Sequence, residues 1–356
     1  MKKYLLVFLA LLLSLFLVLV GCGTEKTTKE PEKLLSTFKI KPLDQEVTVT
    51  VGLKQVVSDA GILIGMAKGY YQELGIKIEP VQFNSGQEMI NQLAAKGLDV
   101  GCTVTSTALF NAMGRGIPIK IVADKGYNLP QKGYYRLVIR KDLADQIKDY
   151  KDLKGRKIAI VGTASLDEIC LDRVLNKGGL TTKDVELQII RSFPDIIAAF
   201  ANKSIDAAMV IEPFVAQGVE KGLIDRWKDP VEYDPDAQIA ILVFGPSITE
   251  KPEVAKRFML AYVKALRDYN DAFIKGVERE RIISILMEYS TVKDRKLYDE
   301  MYPVGLNPNG YVRKIGIEKD LTWYKNHGLL EKDVKAIDAI DNSYVDFVLT
   351  KLGVYE

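Results

Sequence analysis

Residues 47–53 read Val-Thr-Val-Thr-Val-Gly-Leu, and residues 157–163 read Lys-Ile-Ala-Ile-Val-Gly-Thr. Each stretch is typical of a buried strand that ends near a glycine. Helical and strand-like segments follow both stretches in the same order, and matching residues recur at offsets of 110, 110 and 107 positions. The matched pairs are Val51-Gly52 with Val161-Gly162, Phe83 with Phe193, and Lys96-x-Leu98-Asp99 with Lys203-x-Ile205-Asp206. This repetition predicts an internal duplication.

The alternation of strands and helices predicts an α/β fold with two lobes, each a mostly parallel sheet flanked by helices. The strand-like segments 134–140 and 238–245 are predicted to cross between the lobes and to act as a hinge. From Pro252 onward the apolar spacing becomes helical, which predicts a set of C-terminal helices. The predicted divisions are a signal peptide at 1–21, a tether at 22–45, lobe one at 46–133 plus 245–356, and lobe two with the hinge strands at 134–244.

The N-terminus predicts export and lipid attachment. Lys2 and Lys3 precede an apolar run from Tyr4 to Val20, which has the length of a secretory signal and is short for a membrane-spanning helix. The run ends at Gly21-Cys22, and Cys22 is the predicted lipid-attachment residue; the alternative is an uncleaved anchor with an incidental cysteine. Residues 22–45 are rich in Thr, Lys, Glu and Pro and read as a flexible tether that holds the protein at the extracytoplasmic face of the cell membrane.

Composition excludes several classes of function. The chain of 356 residues has 49 basic and 47 acidic residues, so no broad basic surface is predicted for nucleic acid. One histidine and three scattered cysteines argue against a metal site, an iron–sulfur centre or a disulfide framework. We therefore expect no metal, no cofactor, no nucleic-acid partner and no catalytic residues.

Candidate solute-binding residues follow the predicted strands, because ligands of parallel α/β sheets bind beyond the carboxyl ends of the strands. Small hydroxyl residues and glycines there leave backbone N–H groups open to a polar or anionic group. The candidates are Asp59, Ser85, Gly86, Thr105, Ser106, Tyr127, Asn128, Thr163, Ser165 and Glu212. For each, a structural role stays open: helix capping for Asp59 and the hydroxyl residues, loop surface for Tyr127 and Asn128, and a bond between the lobes for Glu212. The sequence alone places no arginine in the solute-binding cleft expected between the two lobes.

Several segments together resemble the solute-binding proteins of ATP-binding cassette (ABC) importers, in the nitrate/sulfonate/taurine and thiamine-pyrimidine-precursor group (SsuA/THI5-like, NMT1-like). Their order and spacing between about 47 and 275 carry the resemblance. They are Gly65-Met-Ala-Lys-Gly-Tyr-Tyr71, Phe83-Asn-Ser-Gly86, Leu98-Asp-Val-Gly101, Ile121-Val-Ala-Asp124, Asp152-Leu-Lys-Gly155, Ile205-Asp-Ala-Ala208, Glu212-Pro-Phe214, Arg257-Phe258 and Tyr269-Asn-Asp-Ala-Phe273.

The resemblance implies a hinged two-lobe periplasmic-binding-protein fold (type II), acting as a monomer. It implies capture of a small solute, either a sulfonate-, nitrate- or taurine-like anion or a pyrimidine-like heteroaromatic, and delivery to permease subunits in the membrane. An enzyme on the same fold is an alternative, although the related thiamine-pyrimidine synthases carry a Cys/His-rich run that this sequence lacks. A component that presents solute to a sensor is the other alternative.

Overall fold

Two five-stranded sheets form the centre of the protein. The computed structural model describes residues 38, 40–83 and 86–356, so the predicted Cys22 and Ser85 lie outside the described residues. The strands are β1 Val47–Leu53, β2 Ile76–Gln82, β3 Val100–Thr103, β4 Lys120–Gly126, β5 Tyr135–Arg140, β6 Lys157–Ile160, β7 Glu186–Ile189, β8 Ala207–Ile211, β9 Ile224–Arg226 and β10 Ala240–Phe244. The predicted α/β fold with mostly parallel sheets is confirmed.

The two sheets repeat one arrangement. The first has the order β2-β1-β3-β10-β4 and the second the order β7-β6-β8-β5-β9. In each sheet the first three strands pair in parallel, and the fourth strand pairs antiparallel with both of its neighbours. Every strand of the first sheet thus has a counterpart at the same place in the second, as expected for a duplicated unit.

The antiparallel strands are exchanged between the lobes. β5 follows lobe one in the chain and enters the second sheet, whereas β10 follows lobe two and enters the first sheet between β3 and β4. This differs from the predicted boundary, which assigned residues up to 244 to lobe two. All five residues of β10 are buried and apolar, and the pairing of β10 with β3 and β4 places it inside the first sheet. The crossings between the lobes therefore precede β5 and β10 rather than coincide with them.

Helices cover both faces of each sheet and extend the C-terminal part of lobe one. They are α1 Ala60–Ala67, α2 Tyr70–Glu73, α3 Gly86–Ala94, α4 Thr107–Gly114, α5 Leu166–Lys177, α6 Phe193–Ala201, α7 Phe214–Glu220, α8 Pro230–Tyr233, α9 Pro246–Thr249, α10 Pro252–Phe273, α11 Arg279–Tyr289, α12 Leu297–Glu300, α13 Lys314–Asn326, α14 Ala336–Ala339 and α15 Ser343–Leu352. The set of C-terminal helices predicted from Pro252 onward is present, beginning with α10. α1 and α2 are separate helices, because Gly69 between them adopts a left-handed conformation with φ of 75°.

The longest helix, α10, holds lobe one together. Its apolar residues at three- and four-residue spacing are buried, including Phe258, Tyr262 and Leu266. The Tyr262 ring lies against Gly61 of α1, where an added Cβ would fall 2.3 Å from the ring. The Tyr262 hydroxyl donates to the backbone oxygen of Asp124 at 2.8 Å, which ties the helix to β4.

The two described cysteines and the histidine have structural surroundings. Cys102 and Cys170 are free and buried, and burial raises the pKa of both thiols. His327 caps the C-terminus of α13 and stacks on Trp323 with the ring centroids 3.8 Å apart. No helix within the described ranges has the length and apolar character needed to cross a bilayer.

Candidate functional site

Two loops that carry predicted solute-binding residues meet at the boundary between the lobes. One follows β3 and leads into α4, and the other follows β6 and leads into α5. The backbone N–H of Thr107 donates to the oxygen of Ala164 at 3.1 Å, and the N–H of Leu166 donates to the oxygen of Thr105 at 3.2 Å. The lobes thus meet at the N-termini of two helices.

Predicted hydroxyl residues lie at this meeting point. Ser106 and Ser165 pair across it as an isolated antiparallel bridge. The Ser106 Oγ accepts from the N–H of Leu109 at 3.2 Å, so it caps α4. The Ser165 Oγ donates to the oxygen of Gly162 at 3.2 Å, and Thr163 beside it is exposed. Capping therefore accounts for Ser106, while Thr163 keeps its side chain open to a solute.

Thr105 belongs to a buried network that joins the lobes. Its Oγ1 donates to Asp320 of α13 at 2.7 Å, and the same carboxylate accepts from the Nη2 of Arg173 of α5 at 2.8 Å. The Nη1 of Arg173 is paired with Asp234. Asp320 is fully buried, and burial raises the pKa of its carboxyl to about 6. Because α13 packs on lobe one and α5 on lobe two, Arg173 holds the lobes together.

A second contact between the same two helices lies nearby. The indole Nε1 of Trp323 on α13 donates to the Oδ2 of Asp172 on α5 at 2.9 Å. The sequence did not predict this contact, because it depends on a helix about 150 residues further along the chain.

Asp59 lies at the carboxyl ends of the strands in lobe one, as predicted, but its carboxylate is already engaged. Its Oδ1 lies 2.8 Å from the Nζ of Lys125, and its Oδ2 accepts from the N–H of Val56 at 3.1 Å. The Lys125 Nζ also donates to the Oγ of Ser58 at 2.8 Å. Asp59 has no exposed surface. These contacts favour a structural role as the ion-pair partner of Lys125; the helix cap left open for Asp59 is not formed, because its side chain makes no cap hydrogen bond to α1.

Glu212 makes a contact between lobe two and the C-terminal part of the chain. Its Oε1 accepts from the Nη2 of Arg226 at 3.1 Å and from the N–H of Tyr302 at 3.2 Å. Its Oε2 accepts from the N–H of Ala216, at the start of α7. Burial raises the pKa of this carboxyl. The bond between the lobes, left open as an alternative, is thus present.

Tyr127 and Asn128 lie where the chain leaves lobe one. The Asn128 Nδ2 donates to the oxygen of Tyr135 at 2.9 Å, and its Oδ1 accepts from the N–H of Tyr135 at 3.0 Å. Asn128 is buried rather than on the loop surface, and it fixes the start of β5. Tyr127 pairs with the backbone of Gly305, and its ring centroid lies 4.1 Å from the guanidinium carbon of Arg313.

Gly86 begins α3 beside the loop that follows β3. A Cβ added at Gly86 would lie 3.4 Å from the Oγ1 of Thr103, an ordinary van der Waals contact, so the packing of these two segments does not itself require a glycine. Of the predicted residues, Gly86, Thr105, Ser106, Thr163 and Ser165 occupy neighbouring parts of the cleft, whereas Tyr127, Asn128 and Glu212 lie towards the hinge.

Three cleft residues escaped the sequence analysis. Asp167, in the first turn of α5, accepts hydrogen bonds from the hydroxyls of Tyr135 and Ser165. Burial raises the pKa of Asp167, and the Lys54 ammonium of lobe one opposes that shift. An acidic residue directly after a helix cap was a usable signal for Asp167; Tyr135 and Lys54 had none, because their partners lie in the other half of the chain.

The described part of the chain contains no group of three His, Cys, Asp or Glu side chains arranged to hold a metal ion. The polar groups described above are hydroxyls, backbone N–H groups, buried acids and the cations Lys54 and Arg173. Such groups orient a small polar solute by hydrogen bonds.

Comparison with known proteins identifies the family. The sequence profile described as NMT1/THI5 like matches residues 57–271, which is more than half of the chain. The chain belongs to the NMT1/THI5-like family. A relative in Bacillus subtilis (strain 168), named as an aliphatic sulfonates-binding protein, is 28% identical over 274 residues, covering 75% of this chain and 74% of that protein.

This NMT1/THI5-like chain is also similar to a solved binding protein and to a curated enzyme. The crystal structure of the periplasmic nitrate-binding protein NrtA from Synechocystis PCC 6803 shares the fold with a TM-score of 0.69 at 17% identity, covering 87% of this chain and 90% of that one. The 4-amino-5-hydroxymethyl-2-methylpyrimidine phosphate synthase of Schizosaccharomyces pombe is 28% identical over 166 residues, covering 47% of this chain and 43% of that protein.

Proposed function

We propose that this protein captures a small solute between its two lobes as the binding component of an ABC importer. The observation that carries the proposal is the meeting of the loops after β3 and β6, where two helix N-termini from different lobes converge. Family membership and the extent of similarity to the sulfonates-binding relative support the same role. Gly86, Thr105, Ser106, Thr163 and Ser165 are the proposed solute contacts.

An enzymatic role is the second candidate, because the synthase of Schizosaccharomyces pombe matches part of the chain. The imidazole and thiol groups that a histidine- or cysteine-based mechanism needs are unfavourably placed in the described structure. His327 is exposed at the end of α13, and the Cys102 and Cys170 thiols are buried with raised pKa values. These placements favour binding over catalysis.

The role in binding is tested by a thermal-shift screen against sulfonates, nitrate and pyrimidines, followed by small-angle scattering with the solute that stabilises the protein. A binding protein is expected to show a smaller radius of gyration with saturating solute. The variant Ser165→Trp places a large ring between the lobes and is expected to weaken binding at least tenfold and to prevent this compaction.

The matched control is Lys177→Trp, at the exposed far end of the same helix, which is expected to bind and compact like the unmodified protein. Turnover of a pyrimidine precursor would contradict the binding role. Saturating solute without compaction would contradict the closure of the two lobes.

We further propose that the protein is lipidated at Cys22 and works at the extracytoplasmic face of the membrane, where it delivers solute to permease subunits. The apolar run that ends at Gly21-Cys22 supports this, together with the polar tether that follows. Cys22→Ser is expected to abolish incorporation of labelled palmitate and to leave the precursor unprocessed. Equal labelling of the variant and the original protein would refute lipidation at Cys22.

A further inference from the structure

Arg136 is a buried arginine at the carboxyl edge of the second sheet. It is the second residue of β5 and lies opposite Val210 near the end of β8. Only 4% of the residue is exposed. Its Nη2 donates to the backbone oxygen of Lys228 at 2.8 Å, and its Nε has no hydrogen-bond partner. A guanidinium carries five N–H donors, so most of its capacity at this position is not used by the described protein.

A second guanidinium lies beside it. The guanidinium carbons of Arg136 and Arg226 lie 5.7 Å and 4.6 Å from the centroid of the Tyr302 ring. Glu212 pairs with Arg226, whose Nε also lacks a partner. Among the described residues no carboxylate forms an ion pair with Arg136 within 4.0 Å. Two positive charges therefore share one negative charge at this edge of the sheet.

No other acidic side chain near Arg136 pairs with its guanidinium among the described residues. Asp229 favours the charged form of Arg136 from a distance, but its carboxylate oxygens accept from the N–H groups of Gln131 and Val231. Burial lowers the pKa of Arg136, and the neighbouring Arg226 adds to that effect. A buried charge without a partner is costly, so this arrangement favours an additional negative group.

The same protein satisfies its other buried arginines. Arg257 is paired with Glu253 at 2.6 Å. Arg267, which like Arg257 is 9% exposed, donates to three backbone oxygens and to the side chain of Asn309. Arg136 differs from both in having a single acceptor.

The position of Arg136 connects it with the cleft. Tyr302, which covers both guanidiniums, lies three residues before Gly305, and Gly305 pairs with Tyr127 of lobe one. The Tyr302 N–H donates to Glu212 of lobe two. Arg136 thus lies beside a segment, residues 302–305, that contacts lobe two through Glu212 and lobe one through Tyr127.

We infer that Arg136, with Arg226 on the same tyrosine ring, holds the oxyanion group of the solute. This inference rests on the proposed binding function and assigns the solute to the class of singly charged oxyanions, such as a sulfonate or nitrate, rather than to neutral pyrimidines. A planar guanidinium presents paired N–H donors that match two oxygens of such an anion.

The test is calorimetric titration of the full-length chain with methanesulfonate, taurine, nitrate and 4-amino-5-hydroxymethyl-2-methylpyrimidine at constant ionic strength. We expect binding of at least one oxyanion, and we expect Arg136→Gln to weaken it at least 30-fold. The melting temperature of Arg136→Gln without anion is expected to equal or exceed that of the unmodified protein, because an unpaired buried charge has been removed. A purely structural arginine would instead lower it.

Arg140→Gln is the matched control. Arg140 lies at the other end of β5 and is paired with Asp142 and Asp206, so its replacement is expected to leave anion affinity unchanged. If Arg136→Gln does not fold, the Nε–H resonance of Arg136 in the unmodified protein decides the matter, since an arginine that binds the anion must shift on titration.

The outcomes separate this inference from the proposed function. Equal anion affinity in the unmodified protein and Arg136→Gln, or binding of the pyrimidine alone, overturns the inference and leaves solute binding intact. Failure of every solute to bind overturns both.

Discussion

Arg173→Met is expected to lower the free energy of unfolding by about 3–5 kcal/mol, the usual cost of removing one partner from a buried ion pair. Arg173 pairs with Asp320 and Asp234, whose side chains are 1% and 3% exposed. Without the guanidinium both carboxylates remain buried, and burial already raises the pKa of each. Urea unfolding followed by circular dichroism measures the effect.

Two further variants test whether the unpaired carboxylates cause the loss of stability in Arg173→Met. The triple variant Arg173→Met/Asp234→Asn/Asp320→Asn is expected to recover most of the loss, because no uncompensated charge is left. Lys177→Met, an exposed position on the same helix, is expected to change stability by less than about 0.5 kcal/mol. Unchanged stability of Arg173→Met would show that this network does not hold the lobes together.

Lys125→Met is expected to have an effect of similar size, about 3–5 kcal/mol, for a related reason. Lys125 and Asp59 form an ion pair in which the two side chains are 4% and 0% exposed. Methionine keeps the length and apolar stem of lysine but leaves the Asp59 carboxylate without its partner. The same unfolding experiment measures the loss.

The double variant Lys125→Met/Asp59→Asn tells whether Asp59 also binds solute. If its role is to pair with Lys125, the double variant regains stability and binds solute like the unmodified protein. Regained stability with lost solute binding would instead make Asp59 a solute contact. A double variant no more stable than Lys125→Met would contradict the ion-pair explanation.

Much of the fold was predictable because its signals are local. Strand-ending glycines and apolar spacing predicted the order of strands and helices, and the duplication predicted two similar lobes. The hydroxyl residues of the two loops at the lobe boundary follow β3 and β6 because the carboxyl ends of parallel strands share one edge, and their contact with a solute stays a prediction.

The features that the sequence did not predict depend on contacts between residues that are distant in sequence. In the run Tyr135-Arg-Leu-Val-Ile-Arg140, Arg136 reads as the polar end of a strand, and only the tertiary structure places it under Tyr302. The partners of Glu212 and Thr105 come from residues 302 and 320. The sheet to which β10 belongs could not be predicted either, because an apolar run of five residues can be buried in either sheet.

The position of β10 has a consequence for the order in which the two lobes can fold during synthesis. β10 lies between β3 and β4, so the first sheet has an open gap until residues 240–244 have been synthesised. Lobe one therefore cannot complete its core before lobe two exists, although its other strands come first in the chain. Such long-range pairing delays folding. A growing chain with this topology stays unfolded for longer, and only unfolded chains can be threaded through a narrow translocation channel.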